Sequence, residues 1–347
     1  MKFKAPCYFR DFRCLADKCS DSCCIGWEIG INDETLDKYK NLKGSLGEKI
    51  RSNICYDGTA HFGLNGEGKC PFLCSDGLCE LIKHSGNELL SEICREHPRF
   101  YTVMGNVGVS GIGLACEGAA ELILSTRDFG FYVHEAEAEE IDEDVDEEYN
   151  KLLSAAEDKL IRIIVGNLSC FSLVLSLNVE QITELDTNNL SFVGENPVSA
   201  SKKPTFAMKK VLNALTECEP FDESFPKELS EAFSYVTESL SEFQSFMKNE
   251  FSEYSKRLLC YFIHRYLYEA FFDGSITDKL CFGVLSTVAI GAVCFNRVKS
   301  RADLDLTVRQ AARVYSKNIE YNTENTDRLI EFCYENGNIA ADILTLL

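Results

Sequence analysis

Eleven of the 17 cysteines in this 347-residue chain lie at or before position 116, and they constrain its fold more than any other feature. The run opens Cys14-Leu-Ala-Asp-Lys-Cys19-Ser-Asp-Ser-Cys23-Cys24-Ile-Gly26-Trp27, resumes at Cys70, Cys74 and Cys79, and closes with Cys94 and Cys116. Thiols at that density are held by disulfides or by metal. A chain this long buries a core without covalent staples. Residues Met1 to Arg10 contain no apolar run of signal-peptide length, so a cytoplasmic, reducing location is expected. Clustered cysteines in that compartment read as metal-bound.

Ligands of an inorganic centre converge as close pairs that fix a loop, with distant ones closing the site. Cys19-x3-Cys23 and Cys70-x8-Cys79 supply two close sets, and Cys94 and Cys116 can reach back to them. Adjacent cysteines point in different directions, so only one of Cys23 and Cys24 serves a given metal, leaving the other for a second site or the core. All-thiolate ligation fits an iron–sulfur cluster and Zn(Cys)4 equally, and the ligand quartet stays open on spacing alone. Cys170, Cys218, Cys260, Cys281, Cys294 and Cys333 are dispersed through later segments and read as core thiols.

Charge narrows the partners. The net charge is −20, and residues 135–148 hold ten acids and no base. Nothing neutralises phosphates, so nucleic acid is excluded as a partner. The most apolar run, Leu280 to Phe295, is shorter than the ~20 residues of a membrane span, and a buried core helix is expected, with no membrane insertion.

Three regions follow: a Cys-rich metal or iron–sulfur module at 1–134, an acidic linker at 135–149 and a helical domain at 150–347. The expected fold class is mostly α, a small irregular Cys-rich module with short hairpins followed by a helical bundle. In the module, Asn32 caps a helix carrying Leu36 and Tyr39, and 54–69 forms a turn and short hairpin. Asn87 caps a short helix bearing Cys94 that ends at Pro98, and a second helix spans Cys116 to Leu124. Between them Gly105-x2-Gly108-x2-Gly111-x-Gly113 reads as a hairpin turn rather than a phosphate loop, because no parallel β/α alternation surrounds it. In the helical part, Leu229, Phe233, Val236, Leu240, Phe243 and Met247 make one stripe on a long helix that Pro226 begins. Further helices are predicted over Phe251–Phe272, Phe206–Leu215, Thr277–Phe295, Leu304–Ile319 and Thr326–Asn336.

Five ordered motifs carry a resemblance: Cys19-x3-Cys23-Cys24-x-Gly26-Trp27, Lys69-Cys70-Pro-Phe-Leu, Asp76-Gly-Leu-Cys79, Cys94-Arg-x-x-Pro98-Arg99 and Leu114-Ala-Cys116. Together they resemble the bacterial flagellin lysine N-methylase family, within the wider group of zinc- or iron-chelating proteins with a CxxCxxCC-type core. The likeness covers about the first 125 residues. It implies S-adenosyl-L-methionine-dependent methylation of lysine side chains of flagellin, assisted by a 4Fe–4S cluster. It also implies cluster ligands among Cys19, Cys23, Cys24, Cys70, Cys79 and Cys94, with Cys14 and Cys116 as further candidates. The chain departs from the family pattern at Cys74, an extra thiol, and at His97, where a tyrosine is usual before Pro-Arg.

That chemistry sets what else the chain must supply. A lysine ε-amine, of pKa about 10.4, loses its proton before attacking a methyl sulfonium. His97 is the candidate base, and Arg95 and Arg99 the candidates to hold the donor's carboxylate. The alternative is a non-enzymatic protein in which the cysteines chelate structural zinc or iron and the helical half binds a partner.

Overall fold

The computed structural model describes residues 1–137, 146–175, 177–186, 204–299 and 302–347. Of the expected acidic linker, 138–145 lie outside the described residues. The described strands are β1 Lys2–Pro6, β2 Ile29–Gly30, β3 Ile54–Tyr56, β4 Ala60–Phe62, β5 Arg99–Met104, β6 Val107–Ile112 and β7 Phe131–Glu135. The helices of the front segment are α1 Asp33–Asn41, α2 Ser45–Ser52, α3 Glu80–Ser85, α4 Glu92–Glu96 and α5 Glu117–Ser125. Then come α6 Glu147–Asn167, α7 Val179–Glu184, α8 Pro204–Thr216, α9 Phe225–Glu238, α10 Leu240–Lys248 and α11 Ser252–Tyr266. The chain closes with α12 Ala270–Asp273, α13 Thr277–Val298, α14 Leu304–Ile319, α15 Thr323–Glu335 and α16 Ile339–Leu344. The protein is mostly helical, as expected.

The helical part is built around α13. It is apolar all round, so neighbours must cover every face, and α9, α10, α11, α14, α15 and α16 pack on it. Its 18-residue apolar window is wholly buried inside the chain, the environment of a core helix. One expectation is corrected here. The stripe from Leu229 to Met247 does not lie on one helix: Ser239 leaves helical geometry (φ −124°, ψ 44°) and separates α9 from α10. The stripe survives because the break is a single residue, and Leu229, Phe233, Val236, Phe243 and Met247 all remain buried.

The front segment has more sheet than short hairpins. One sheet has the order β5-β6-β1-β7, and a smaller one β2-β4-β3. The glycine string is a hairpin, with Met104 facing Val107 across Gly105-Asn106 and Gly105 at φ +62°, where a side chain would be strained. β1 lies inside the larger sheet, parallel to β6 and antiparallel to β7. Beneath it, Lys4 (β1), His264 and Tyr268 converge on the fully buried Glu157 of α6, at 2.8, 2.7 and 2.6 Å. The other ring nitrogen of His264 is 2.9 Å from the Ser110 carbonyl oxygen of β6. A second correction concerns α4. Its cap is Ser91, whose hydroxyl accepts from the Cys94 amide, whereas the Asn87 carbonyl is taken up in a turn by the Leu90 amide.

Among the described residues, two hydrophobic cores result. The larger runs from Ala5 to Leu346, across the acidic stretch, and includes β1, β6, α5 and the helices from α6 onward. The smaller gathers Ile29, Ile31, Leu36, Tyr39, Ile50, Phe62, Cys70, Phe72, Leu81 and Leu90. The acids at the edges of the run are ordered: Glu135 pairs in β7, and Asp146 caps α6 ahead of Glu147 and Glu148, where a helix N-terminus favours negative charge.

Candidate functional site

A cleft of about 750 Å³ opens between the smaller core and the C-terminal helices. Its size suits a cofactor-sized ligand. Cys14, Cys19, Cys23, Cys24, Cys79, Cys94 and Cys116 line it, together with Arg95, His97 and Arg99. Of the predicted site residues only Cys70 is absent from the wall; it is buried just behind, its amide donating to the Cys24 carbonyl at 2.8 Å.

Local structure places each thiol. Cys79 and Cys116 are the residues preceding α3 and α5, so the first-turn amides of those helices face their sulfurs. The loop from Cys70 to Cys79 doubles back through an isolated bridge between Leu73 and Cys79 and a turn at Asp76-Gly77. Gly26 stands at φ +91°, and a Cβ there would lie 2.6 Å from the Phe221 ring. Glycine at 26 therefore lets the loop after Cys24 turn and lets Phe221 cover it.

Burial raises these thiols, and so does the crowd itself. Cys19 is pushed up to about 11 by burial and by Cys116 and Cys14. Burial, with Cys24, Cys94 and Cys79 adding, raises Cys70 to about 12. Cys94 rises to about 11 by burial and by Cys24 and Cys79. Cys23 and Cys24 share a hydrogen bond that keeps the proton on Cys23 and lowers Cys24 to about 7. Such a crowd becomes a set of thiolates when a cation neutralises it, since a bound metal reverses the local charge balance and deprotonates its thiols. The donor chemistry fits a thiolate-bound metal or iron–sulfur centre.

An aromatic cluster lines the same cleft. Trp27, His97 and Tyr321 have ring centroids 6.0 Å apart in each pair. Nδ1 of His97 shares a hydrogen bond with the Tyr321 hydroxyl at 3.2 Å, and its Nε2 is buried without a partner among the described residues. Burial, with Lys317 adding, lowers His97 to about 4, so its ring is neutral at physiological pH. Arg99 lies over the Phe12 ring at 5.2 Å, with no carboxylate within 4.0 Å among the described residues. Arg95 is paired with Glu96 at 3.3 Å.

Lys317, Tyr321 and Phe221 were not legible as site residues, because they come from α14 and from loops of the helical half that only packing brings to the cysteines. Outside the cleft, Glu28, Asp57 and His61 bring three ligand atoms within 4.8 Å of one another, but both carboxylates are exposed.

Fold and cleft together define a mostly helical protein whose front segment gathers seven thiols on one aromatic-walled cavity. The chain is 30% identical over 130 residues to the flagellar biosynthetic protein FliU of Salmonella muenchen, a match covering 35% of this chain and 77% of FliU. It is 29% identical over 130 residues to the lysine N-methylases of Salmonella choleraesuis and Salmonella typhimurium, covering 35% of this chain and 32% of each of those. It belongs to the flagellin lysine N-methylase family. The match spans about a third of the length of the lysine N-methylases. No family model and no solved structure matches the chain.

Proposed function

We propose that this chain methylates lysine side chains of flagellin in the cytoplasm, using S-adenosyl-L-methionine and an iron–sulfur centre held by the cleft thiols. Family membership supports lysine methylation of a flagellar protein. The observation that carries the rest is the convergence of seven of the eight predicted thiols with His97 and Arg99 on one cavity.

In this reading the ε-nitrogen lone pair forms a bond to the methyl carbon as the S–CH3 bond breaks. The sulfonium leaves as a neutral thioether, and the amine gives up one proton to solvent. The lysine therefore enters neutral, and a partly dry, aromatic-walled cleft favours that form over the ammonium. With its basicity so reduced, His97 is a poor store for the released proton. Its role is to orient: when Tyr321 donates to Nδ1, Nε2 carries the ring proton and meets an acceptor, and in the other tautomer Nε2 accepts an amine N–H and aims the lone pair. Arg99 pairs with the donor's carboxylate, a contact that a guanidinium makes with two parallel hydrogen bonds. When bound, an iron–sulfur centre would supply Lewis-acidic iron, and an iron released by one of its thiolates would hold the amino acid end of the donor.

The test is methyl transfer from labelled S-adenosyl-L-methionine to purified flagellin by anaerobically prepared protein, read by mass spectrometry of the lysines. Transfer that depends on the bound centre is expected. Absence of transfer by centre-loaded protein, or an unchanged rate after the centre is removed, would sink the reading.

A further inference from the structure

We propose that the front segment holds two four-thiolate iron–sulfur centres side by side, one on Cys14, Cys19, Cys23 and Cys116 and the other on Cys24, Cys70, Cys79 and Cys94. The inference rests on the reading above that the cleft thiols bind an inorganic centre, and extends it from one centre to two.

The partition follows from what each thiol is attached to. Cys24, Cys79 and Cys94 all pack with the buried Cys70 onto the smaller hydrophobic core. Their chain segments are tied there: the Cys70 amide donates to the Cys24 carbonyl, the Glu80 amide to the Phe72 carbonyl, and Ser91 holds the Cys94 amide. None of Cys14, Cys19, Cys23 and Cys116 belongs to that core, and Cys116 packs against the larger one.

This second set is assembled around the start of α5. A Cβ on Gly118 would lie 3.5 Å from the Arg13 carbonyl oxygen and 3.2 Å from Leu15, which brings the segment bearing Cys14 against the helix. The amide and hydroxyl of Ser20 donate to Glu117 at 2.9 and 2.7 Å, so the residues following Cys19 and Cys116 are in contact. Cys23 is held from the other side, its carbonyl accepting from the Trp27 indole at 2.6 Å. The Cys23–Cys24 pair is the seam: the two thiols are hydrogen-bonded to each other, and the partition gives one to each set. A four-iron cluster takes four cysteines, so eight thiols divide without remainder. The other front-segment thiols fall outside: Cys7 contacts the Asp128 carbonyl, Cys55 lies under Gly63, and Cys74 is directed to the Phe72 carbonyl.

The spread of the sulfurs favours clusters over single zinc ions. A tetrahedral zinc with bonds of about 2.3 Å places its sulfurs about 3.8 Å apart. Among the described residues no three thiol sulfurs lie within 4.8 Å of one another. A cubane, which binds each thiolate at a separate iron, accommodates the wider spacing.

The test is metal and sulfide content of the full chain, isolated and reconstituted anaerobically, with electron paramagnetic resonance after reduction. Wild type should hold about eight irons and about eight sulfides per chain. The double variants Cys19→Ser/Cys116→Ser and Cys79→Ser/Cys94→Ser should each keep about half, and the broadening from two neighbouring paramagnets should vanish in both. About four irons in wild type would overturn the proposal and leave a single-centre methylase standing. So would a double variant that keeps the full wild-type iron, or one zinc beside four irons. Protein with neither iron nor zinc would remove the thiolate reading itself. Should the Cys79/Cys94 variant fail to fold, the wild-type count and the Cys19/Cys116 variant still decide.

Discussion

Arg313 places Nη2 2.7 Å from Oδ2 of Asp21, an ion pair between residues 292 positions apart. Its other arm reaches Glu117 at 3.2 Å, and Lys317 also bonds Asp21. One nearly buried guanidinium on α14 thus holds both the loop between Cys19 and Cys23 and the turn after Cys116.

Arg313→Ala should release that loop. Charge-assisted bonds of this kind contribute roughly 1.5–3 kcal/mol, and the partial exposure of Asp21 and Glu117 places the expected loss near the lower end. Urea unfolding with limited proteolysis would read it, with new cleavage expected between residues 14 and 24. Arg313→Lys should recover only part, because an ammonium cannot span both carboxylates.

Gly26→Ala should destabilise the protein through two separable effects. The left-handed backbone at φ +91° disfavours a side chain, and the new Cβ meets Phe221. A total of about 1–3 kcal/mol is expected. Adding Phe221→Ala should relieve the clash and leave the backbone strain, so the double variant should be more stable than the two single losses combined predict. Strict additivity in thermal melts would show that Phe221 does not restrain the loop.

Stability of the metal-free protein should fall at alkaline pH. An unfolded thiol titrates at about 8.5, whereas Cys19, Cys70 and Cys94 are raised to about 11, 12 and 11 in the fold. Below the unfolded value the contribution is fully present. Above it the unfolded chain ionises first, so the contribution is lost as pH rises towards 11–12. Urea midpoints at about pH 7.5 and about pH 10 should differ in the metal-free form and much less in the loaded form, whose thiols are already deprotonated.

Glu157→Ala should be among the costliest single changes. Burial alone would raise this carboxyl, but His264 and Lys4 outweigh it and hold the group below its ordinary value. Removing the carboxyl leaves His264 and Tyr268 without their buried acceptor, while Lys4 keeps Asp158 at 2.8 Å, a loss of about 3–5 kcal/mol. Because the folded value is depressed, the wild-type contribution is present at neutral pH and fades on acidification. Acid unfolding should therefore begin at higher pH in any variant that weakens the pairing. Denaturant unfolding at neutral pH measures the direct cost.

His97→Phe should lower kcat for methylation with little effect on donor binding, and Tyr321→Phe should do so more weakly. Loss of an orienting group of this kind costs about 10²-fold. With His97 lowered to about 4, the wild-type pH profile should carry no limb from this residue between about pH 5.5 and 8. A limb near the ordinary histidine value that disappears in His97→Phe would contradict the assignment.

Much of this was legible because it is local. Stripes at helical spacing, the Asn32 cap, the Gly105 hairpin and the cysteine pairs all depend on neighbours a few residues apart. Of the residues that line the cleft, seven cysteines, His97 and the two arginines were named from the sequence. What escaped was long-range. β1 and β7 find partners across more than a hundred residues, and nothing in Lys2–Pro6 names β6 as its neighbour. Tyr321, Lys317 and Phe221 belong to segments whose own patterns describe only packing. The break at Ser239 and the choice of Ser91 over Asn87 as a cap turn on competition between similar local options, which tertiary contacts settle.

The place of β1 in its sheet has a consequence for biogenesis. Lys2–Pro6 is made well before its partners at 107–112 and 131–135, and every cleft thiol but Cys116 precedes the first of them. For that interval the sulfurs hang on an unclosed chain, open to oxidants and to whichever ion arrives first. Any group those thiols hold would have to reach them in competition with oxidation until the sheet closes.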